Sequence, residues 1–276
     1  MPIKNNNKSY ILNYDPENYL KMTEEVKRIV KENNFCIVKN FNDAHTQKKI
    51  YKFIQKKFDE ASDIRVSGGF IYKMKDYCRL DVGDSYKNSR FSRNMVFCEW
   101  NKKNKDLFEL IKPLLSFRNA FSGISQFDYQ YDLEDKIFST DIHEDRSSDI
   151  TTESCFCDVI RSIQYPIGGG FLATHNDLDE KFYHSQIFNV LLPVTSRVKK
   201  HGNDDLETYD KGGLYYIHNG EKIDVENLLD SGDLIIHNQY IDHGVNSIDP
   251  DKELDINSFC GRITLNISIG RFIKNV

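Results

Sequence analysis

Tyr165-Pro166-Ile167-Gly168-Gly169-Gly170-Phe171-Leu172-Ala173-Thr174-His175-Asn176-Asp177 is the stretch that decides how this chain folds. It closes on a His-x-Asp pair. Residues two apart in a strand share a face, so the imidazole of His175 and the carboxylate of Asp177 converge on one point. A third ligand is offered far downstream, in Asp242-His243-Gly244-Val245. Two imidazoles and one carboxylate occupy one face of an octahedral metal and leave its other positions open. The three glycines after Pro166 read as a tight turn between strands. No P-loop lysine or helix start follows them, which argues against a phosphate cradle.

Working outward, the span from Asp158 to Tyr165 reads as a strand, and Gln186 to Val194 as another, with Asn189 interrupting an apolar run. A buried amide there needs a hydrogen-bond partner. Gly212 to Gly220 reads as a hairpin and Val225 to Leu229 as a helical turn. Ser231-Gly232-Asp233 launches the apolar strand Leu234 to His237. From Arg262 to Phe272 the closing strand alternates Ile263, Leu265, Ile267 and Ile269 against Thr264, Asn266 and Ser268. Arg262 and Thr264 therefore share the polar side of that strand.

The order of glycine turn, His-x-Asp, strand-rich span, Gly-Asp turn, late histidine and arginine resembles that of the iron(II)- and 2-oxoglutarate-dependent dioxygenases, over about residues 158–272. The resemblance implies a mainly β protein with flanking α-helices. Its core would be a double-stranded β-helix (jelly-roll, cupin-like), with an N-terminal helical region packed against it. His175, Asp177 and His243 are then the iron ligands, and Arg262 holds the distal carboxylate of 2-oxoglutarate. Thr264, Asn189 and Tyr165 are further co-substrate contacts. Iron(II), 2-oxoglutarate and O2 are the implied cofactors, and hydroxylation or desaturation of a small molecule the implied reaction. Because Asp177 supplies a carboxylate, the pattern is not that of the halogenating relatives, which lack it. One departure is that Arg262 follows His243 by nineteen residues, more than in many members. The polar run Asp249-Pro250-Asp251-Lys252-Glu253 lies between them and reads as a lengthened surface loop.

Among rivals, His237 ends the Gly-Asp-launched strand but lacks the Gly-Val that follows His243, and Asp179 misses the His-x-Asp spacing. Two other function classes share the pattern: a non-redox cupin-type isomerase or lyase, and a non-catalytic jelly-roll binding module. Arg262 speaks against both, since a basic residue inside a closing strand needs an anionic partner.

The 276 residues carry a formal charge of −5, with 39% hydrophobic and 29% charged side chains. That suits one domain over 1–276, with 1–157 as N-terminal helices, strands and lid and 158–276 as the main jelly-roll segment. The acidic balance argues against a nucleic-acid partner. No apolar run reaches membrane-spanning length. The N-terminus lacks a signal-peptide core, so a cytoplasmic location is expected. Six cysteines without a Cys-x-x-Cys pair read as reduced thiols.

Upstream, residues 1 to about 16 are polar and expected to lie along the surface. Helical spacing predicts a helix over Pro16 to Asn33, then a buried strand from Phe35 to Val38. A second helix capped by Asp43 runs to Ala61, its lysines forming a solvated face. A third covers Asp106 to Phe121. The irregular span 65–100 reads as a lid. Its Arg79, Arg90 and Arg93 suggest an anionic or zwitterionic small substrate.

Overall fold

The computed structural model describes residues 9–60, 76–81, 89–98, 102–122, 154–177, 188–198 and 205–273. Their strands are β1 (Ile11–Asn13), β2 (Phe35–Lys39), β3 (Asp76–Asp81), β4 (Ser89–Arg90), β5 (Ser92–Cys98), β6 (Ser154–Tyr165), β7 (Phe171–His175) and β8 (Asn189–Pro193). There follow β9 (Ser196–Arg197), β10 (Glu207–Tyr209), β11 (Gly213–His218), β12 (Glu221–Asp224), β13 (Leu234–His237), β14 (Asp242–Asn246) and β15 (Arg262–Ile273). The helices are α1 (Tyr19–Asn33), α2 (Ala44–Glu60) and α3 (Lys105–Ser122). No helix among the described residues is long and apolar enough to cross a membrane.

Eight strands form the major sheet in the order β1-β2-β13-β8-β15-β6-β5-β3. Five form the minor sheet, β12-β11-β14-β7-β4. The two sheets make the double-stranded β-helix that the sequence leads one to expect. Period-two alternation sorts the major sheet's side chains. Cys36, Val38, Val190, Leu192, Leu234, Ile236, Ile263, Leu265 and Ile267 face the helices, where Val26, Ile29, Ile50, Ile54, Ile111 and Phe117 complete one core. Phe35, Ile37, Leu191 and Ile235 face the other way and pack on Leu214 and Tyr216 of the minor sheet.

Local hydrogen bonds set the start of α2 and the end of α1. The Asp43 carboxylate accepts from the Thr46 N–H at 2.6 Å, capping α2. Asn34 takes a left-handed conformation and returns its N–H to the Val30 carbonyl, ending α1. Gln47 donates to the Pro193 carbonyl at 2.7 Å and ties α2 to the major sheet. The buried Asp233 accepts from Lys39, from the Asn40 N–H and from the Asp230 N–H, which explains the Gly-Asp turn before β13.

Two expectations change. The N-terminal stretch is not merely a polar surface segment, because Ile11–Asn13 pairs in parallel with β2 and Tyr10 packs on Phe35. Part of the supposed lid at 65–100 is regular structure: β3 pairs with β5, and β5 with β6, extending the major sheet. Strong pairing there overrides a sequence with little visible alternation.

The nineteen-residue gap before Arg262 is an anchored loop. The buried Asp249 carboxylate accepts from the backbone N–H groups of Asp210 and Lys211, at 2.9 and 2.7 Å, and from Lys252. The Gly168 and Gly169 N–H groups donate to the Asp249 and Ile248 carbonyls, so the glycine turn and the loop hold each other. Gln164 donates to the carbonyls of Ser258 and Cys260, and Phe259 packs on Phe58 and Tyr51. At the loop's end Gly261 has φ +85°, and a Cβ there would lie 2.3 Å from the Tyr165 carbonyl oxygen. Only glycine allows that approach. It delivers Arg262 directly opposite Tyr165 in the β15–β6 ladder.

Candidate active site

His175 ends β7, and the antiparallel register of β14 sets His243 against it. Their rings lie 4.4 Å apart. Each imidazole is oriented the same way: Nδ1 lies 3.0 Å from the carbonyl oxygen two residues earlier, that of Ala173 for His175 and Ile241 for His243. An Nδ1–H donating there leaves Nε2 as the free lone pair, the tautomer a metal ligand needs. The two Nε2 atoms each stand 3.5 Å from a different oxygen of Asp177. Metal ligands at about 2.1 Å and right angles stand about 3 Å apart. The three side chains therefore fit a metal with little adjustment, and they are the one such His/Cys/Asp/Glu group among the described residues.

Asp177 is itself held in place. Its backbone N–H donates to the Gln239 carbonyl at 3.1 Å, and the buried Asn189 amide donates to its carboxylate. Asn189 thus finds its hydrogen-bond partner in Asp177, whose carboxylate it orients. Burial works to raise the Asp177 pKa, but the His175 hydrogen bond and the charges of the neighbouring histidines outweigh it and hold the carboxyl well below its usual range. Burial depresses His243. At His175 burial works to lower the pKa, but the hydrogen bonds to Asp177 and the Ala173 carbonyl, with the Asp177 charge, outweigh it and raise the pKa, so a metal would have to displace a proton more readily held there than on His243.

His237 is close by, with its ring 4.9 Å from that of His243 and 5.4 Å from that of Tyr216. Burial and then the His243 charge push its pKa down to about 3, so it is a neutral wall of the site. Its ring stands outside the converging set of three. Asp179 lies outside the described residues.

The triad opens on a cavity of about 210 Å³ that is also lined by Tyr165, Leu172, Val245, Arg262 and Thr264. Arg262 is buried and its Nε donates to Glu226 Oε2 at 2.8 Å. Burial opposes its charge, but Glu226 outweighs that and raises its pKa. Glu226 thus supplies from within the chain the anion that a buried Arg262 requires, so burial of Arg262 alone does not call for an outside one. What remains unanswered within the chain is Nη2 of Arg262 and Oγ1 of Thr264, both buried and neither with a hydrogen-bond partner. Two unmet donors two residues apart on one strand face have the chemistry to take a carboxylate. Burial pushes the Tyr165 hydroxyl up to about 12, so it stays a neutral donor.

Of the arginines assigned to substrate, Arg93 is elsewhere. It points to the helix side of β5, stacks 4.0 Å from the Phe58 ring centroid and donates to the Ile256 carbonyl. Strand alternation is the reason: Ser92 and Asn94 face the cavity, so Arg93 cannot. Arg79 sits in register opposite Asn94 and Arg90 opposite Phe171, but their side chains lie outside the described residues. The cavity's second arginine is Arg161, on the inward face of β6 with Ile163 and Tyr165. Its place every second residue before Tyr165 was the available signal. Glu226 had none, since its partner is thirty-six residues away.

No protein-family model and no curated protein sequence matches this chain. Solved structures do. A prolyl-4-hydroxylase from Pseudomonas putida aligns with a TM-score of 0.53 at 13% identity, covering 90% of this chain and 98% of that one. A protein of the 2OG-Fe(II) oxygenase family from Caulobacter crescentus aligns with a TM-score of 0.52 at 11% identity, covering 95% and 85%. At such identities the likeness is one of fold.

Removing either imidazole should abolish metal binding. His175→Ala and His243→Ala are expected to bind cobalt(II) at least about a hundredfold more weakly than wild type in calorimetry, a loss of about 2.7 kcal/mol or more. Their melting temperatures should stay close to that of the metal-free wild type. His237→Ala should keep its affinity within a few-fold. Loss of binding in His237→Ala with retention in His243→Ala would reassign the ligand set.

Proposed function

We propose that this protein is an iron(II)- and 2-oxoglutarate-dependent oxygenase that hydroxylates or desaturates a small anionic or zwitterionic molecule. The observation that carries the reading is the pairing, in one cavity, of a His-Asp-His set with free Nε2 atoms and a buried arginine–threonine pair with unmet donors. A purely structural histidine cluster would not require the second feature, and a metal site without a carboxylate co-substrate would not either.

When bound, iron(II) with 2-oxoglutarate and dioxygen supplies an oxidant able to remove hydrogen from a C–H bond. The chain's part is to bind, orient and exclude water. His175, Asp177 and His243 would hold the metal ion. Asn189 and the carbonyls of Ala173 and Ile241 fix the directions of those ligands. Arg262 Nη2 and Thr264 Oγ1 would hold the distal carboxylate of 2-oxoglutarate, with the Tyr165 hydroxyl as a further donor in the same cavity. Leu172, Leu214 and Val245 keep water from the carbon chain between the two ends. On the remaining wall, Arg161 with Asn94 and Asn266 makes a polar, positively charged surface suited to an anionic group on the substrate.

Anaerobic addition of 2-oxoglutarate to the iron(II)-loaded protein should raise a weak visible charge-transfer band that neither component gives alone. Lysine cannot reproduce the planar guanidinium, so Arg262→Lys should need about tenfold or more co-substrate for half the band, with iron affinity changed only a few-fold. No band in wild type would sink the reading. For the substrate, succinate formation should be fastest with small carboxylates or amino acids, and Arg161→Ala should raise their KM about tenfold. A neutral compound or a proline-containing peptide as best substrate, with Arg161→Ala unaffected, would contradict that assignment.

A further inference from the structure

Glu226 lies in the 3-10 turn Glu226–Leu228, outside β7 and β14, the minor-sheet strands that carry His175 and His243, yet its side chain is buried and engaged. Oε2 accepts from Arg262 Nε at 2.8 Å and from the Leu214 N–H at 2.6 Å. Oε1 accepts from the Tyr209 hydroxyl, itself wholly buried. Gly213 makes room for this carboxylate: its φ is +111°, and a Cβ there would stand 2.3 Å from Glu226 Cγ. Four elements therefore hold one acid against one base. Glu226 takes Nε and holds the guanidinium from that side, while Nη2 is buried without a hydrogen-bond partner.

The pairing also sets the charge of the seat. Arg262 and Glu226 together are neutral, so an arriving anion meets one strong donor edge without a net positive charge. The Born cost of taking an ion out of water grows with the square of its charge, and in a buried site that cost is several kcal/mol even for a monoanion. A neutral seat can compensate a monoanionic carboxylate through charge-assisted bonds to Nη2 and Thr264, but not a dianion such as sulfate or a phosphate monoester. Arg161 lines the same cavity but stands four residues before Tyr165 on β6, so it is several ångströms farther along the wall.

We propose that Glu226 is a positioning and specificity-determining residue of the co-substrate seat: it aims Arg262 and cancels its charge, restricting the seat to a singly charged carboxylate group and rejecting a doubly charged group such as sulfate or a phosphate monoester. This rests on the reading of the cavity as a 2-oxoglutarate site. Aim and charge are separable by substitution. Glu226→Asp keeps the charge but is too short to reach Arg262, Leu214 and Tyr209 together. Glu226→Gln keeps the shape and can still accept from Arg262, but leaves the seat positive.

The test is calorimetric binding of 2-oxoglutarate to the manganese(II)-loaded protein, alone and against sulfate as competitor, with a thermal melt on each variant. Wild type should bind 2-oxoglutarate with little effect of sulfate. Glu226→Asp should bind it about tenfold more weakly and still ignore sulfate, with manganese affinity unchanged. Glu226→Gln should become sensitive to sulfate, its apparent 2-oxoglutarate affinity falling about tenfold at sulfate concentrations that leave wild type unmoved. If Glu226→Gln melts before it can be titrated, Glu226→Asp decides: wild-type affinity in that variant overturns the proposal. Binding by wild type with no change in sulfate sensitivity in a folded Glu226→Gln also overturns it. Absence of 2-oxoglutarate binding by wild type would instead overturn the parent reading, and this inference with it.

Discussion

Antiparallel register is the constraint on which the site depends. His243 meets His175 because β14 pairs with β7, and Arg262 meets Tyr165 because β15 pairs with β6 across all twelve of its residues. Side chains alternate with a period of two, so a slip of one residue in either ladder would turn every functional group to the wrong face. The long β6–β15 ladder makes such a slip costly, since Ile263, Leu265 and Ile267 would leave the helix-side core as Arg262 and Thr264 entered it. Packing on one face of the sheet thus fixes chemistry on the other.

A second constraint is electrostatic. A guanidinium buried as deeply as that of Arg262 cannot stand unpaired. Glu226 meets this need, and its own oxygens are met by Leu214 and Tyr209. Breaking such a pair from one side costs about 3–5 kcal/mol, so the network contributes rigidity where it contributes little net stability. The His175–Asp177–His243 end of the cavity is built on the same plan with milder charges. Backbone carbonyls set the two imidazoles, and Asn189 sets the carboxylate.

Much of this was legible in the chain. His175 and Asp177 follow a turn signal and sit two apart, His243 is distinguished from His237 by its neighbours, and the closing strand alternates cleanly. The helix faces of α1 and α2 follow from their apolar spacing. Other parts were hidden for definable reasons. Arg93 and Arg161 look alike in sequence, and only the pairing of β5 with β6 decides which face each presents. Glu226 sits in a turn with no period to read, and its partner is reached only through the fold. The loop from Asp249 to Gly261 looks like a loose insertion, whereas one buried carboxylate catching two backbone N–H groups anchors it.

The central claim is that metal and carboxylate occupy opposite ends of one cavity, held by His175, Asp177 and His243 at one end and by Arg262 with Thr264 at the other. Anomalous diffraction from crystals grown without oxygen in manganese(II) and 2-oxoglutarate tests it directly. A single manganese peak is expected within bonding distance of His175 Nε2, His243 Nε2 and an Asp177 oxygen. The distal carboxylate of 2-oxoglutarate should lie within hydrogen-bond distance of Arg262 Nη2 and Thr264 Oγ1, with Glu226 still on Nε. A manganese peak elsewhere, or a co-substrate carboxylate that leaves Arg262 untouched, would contradict the account.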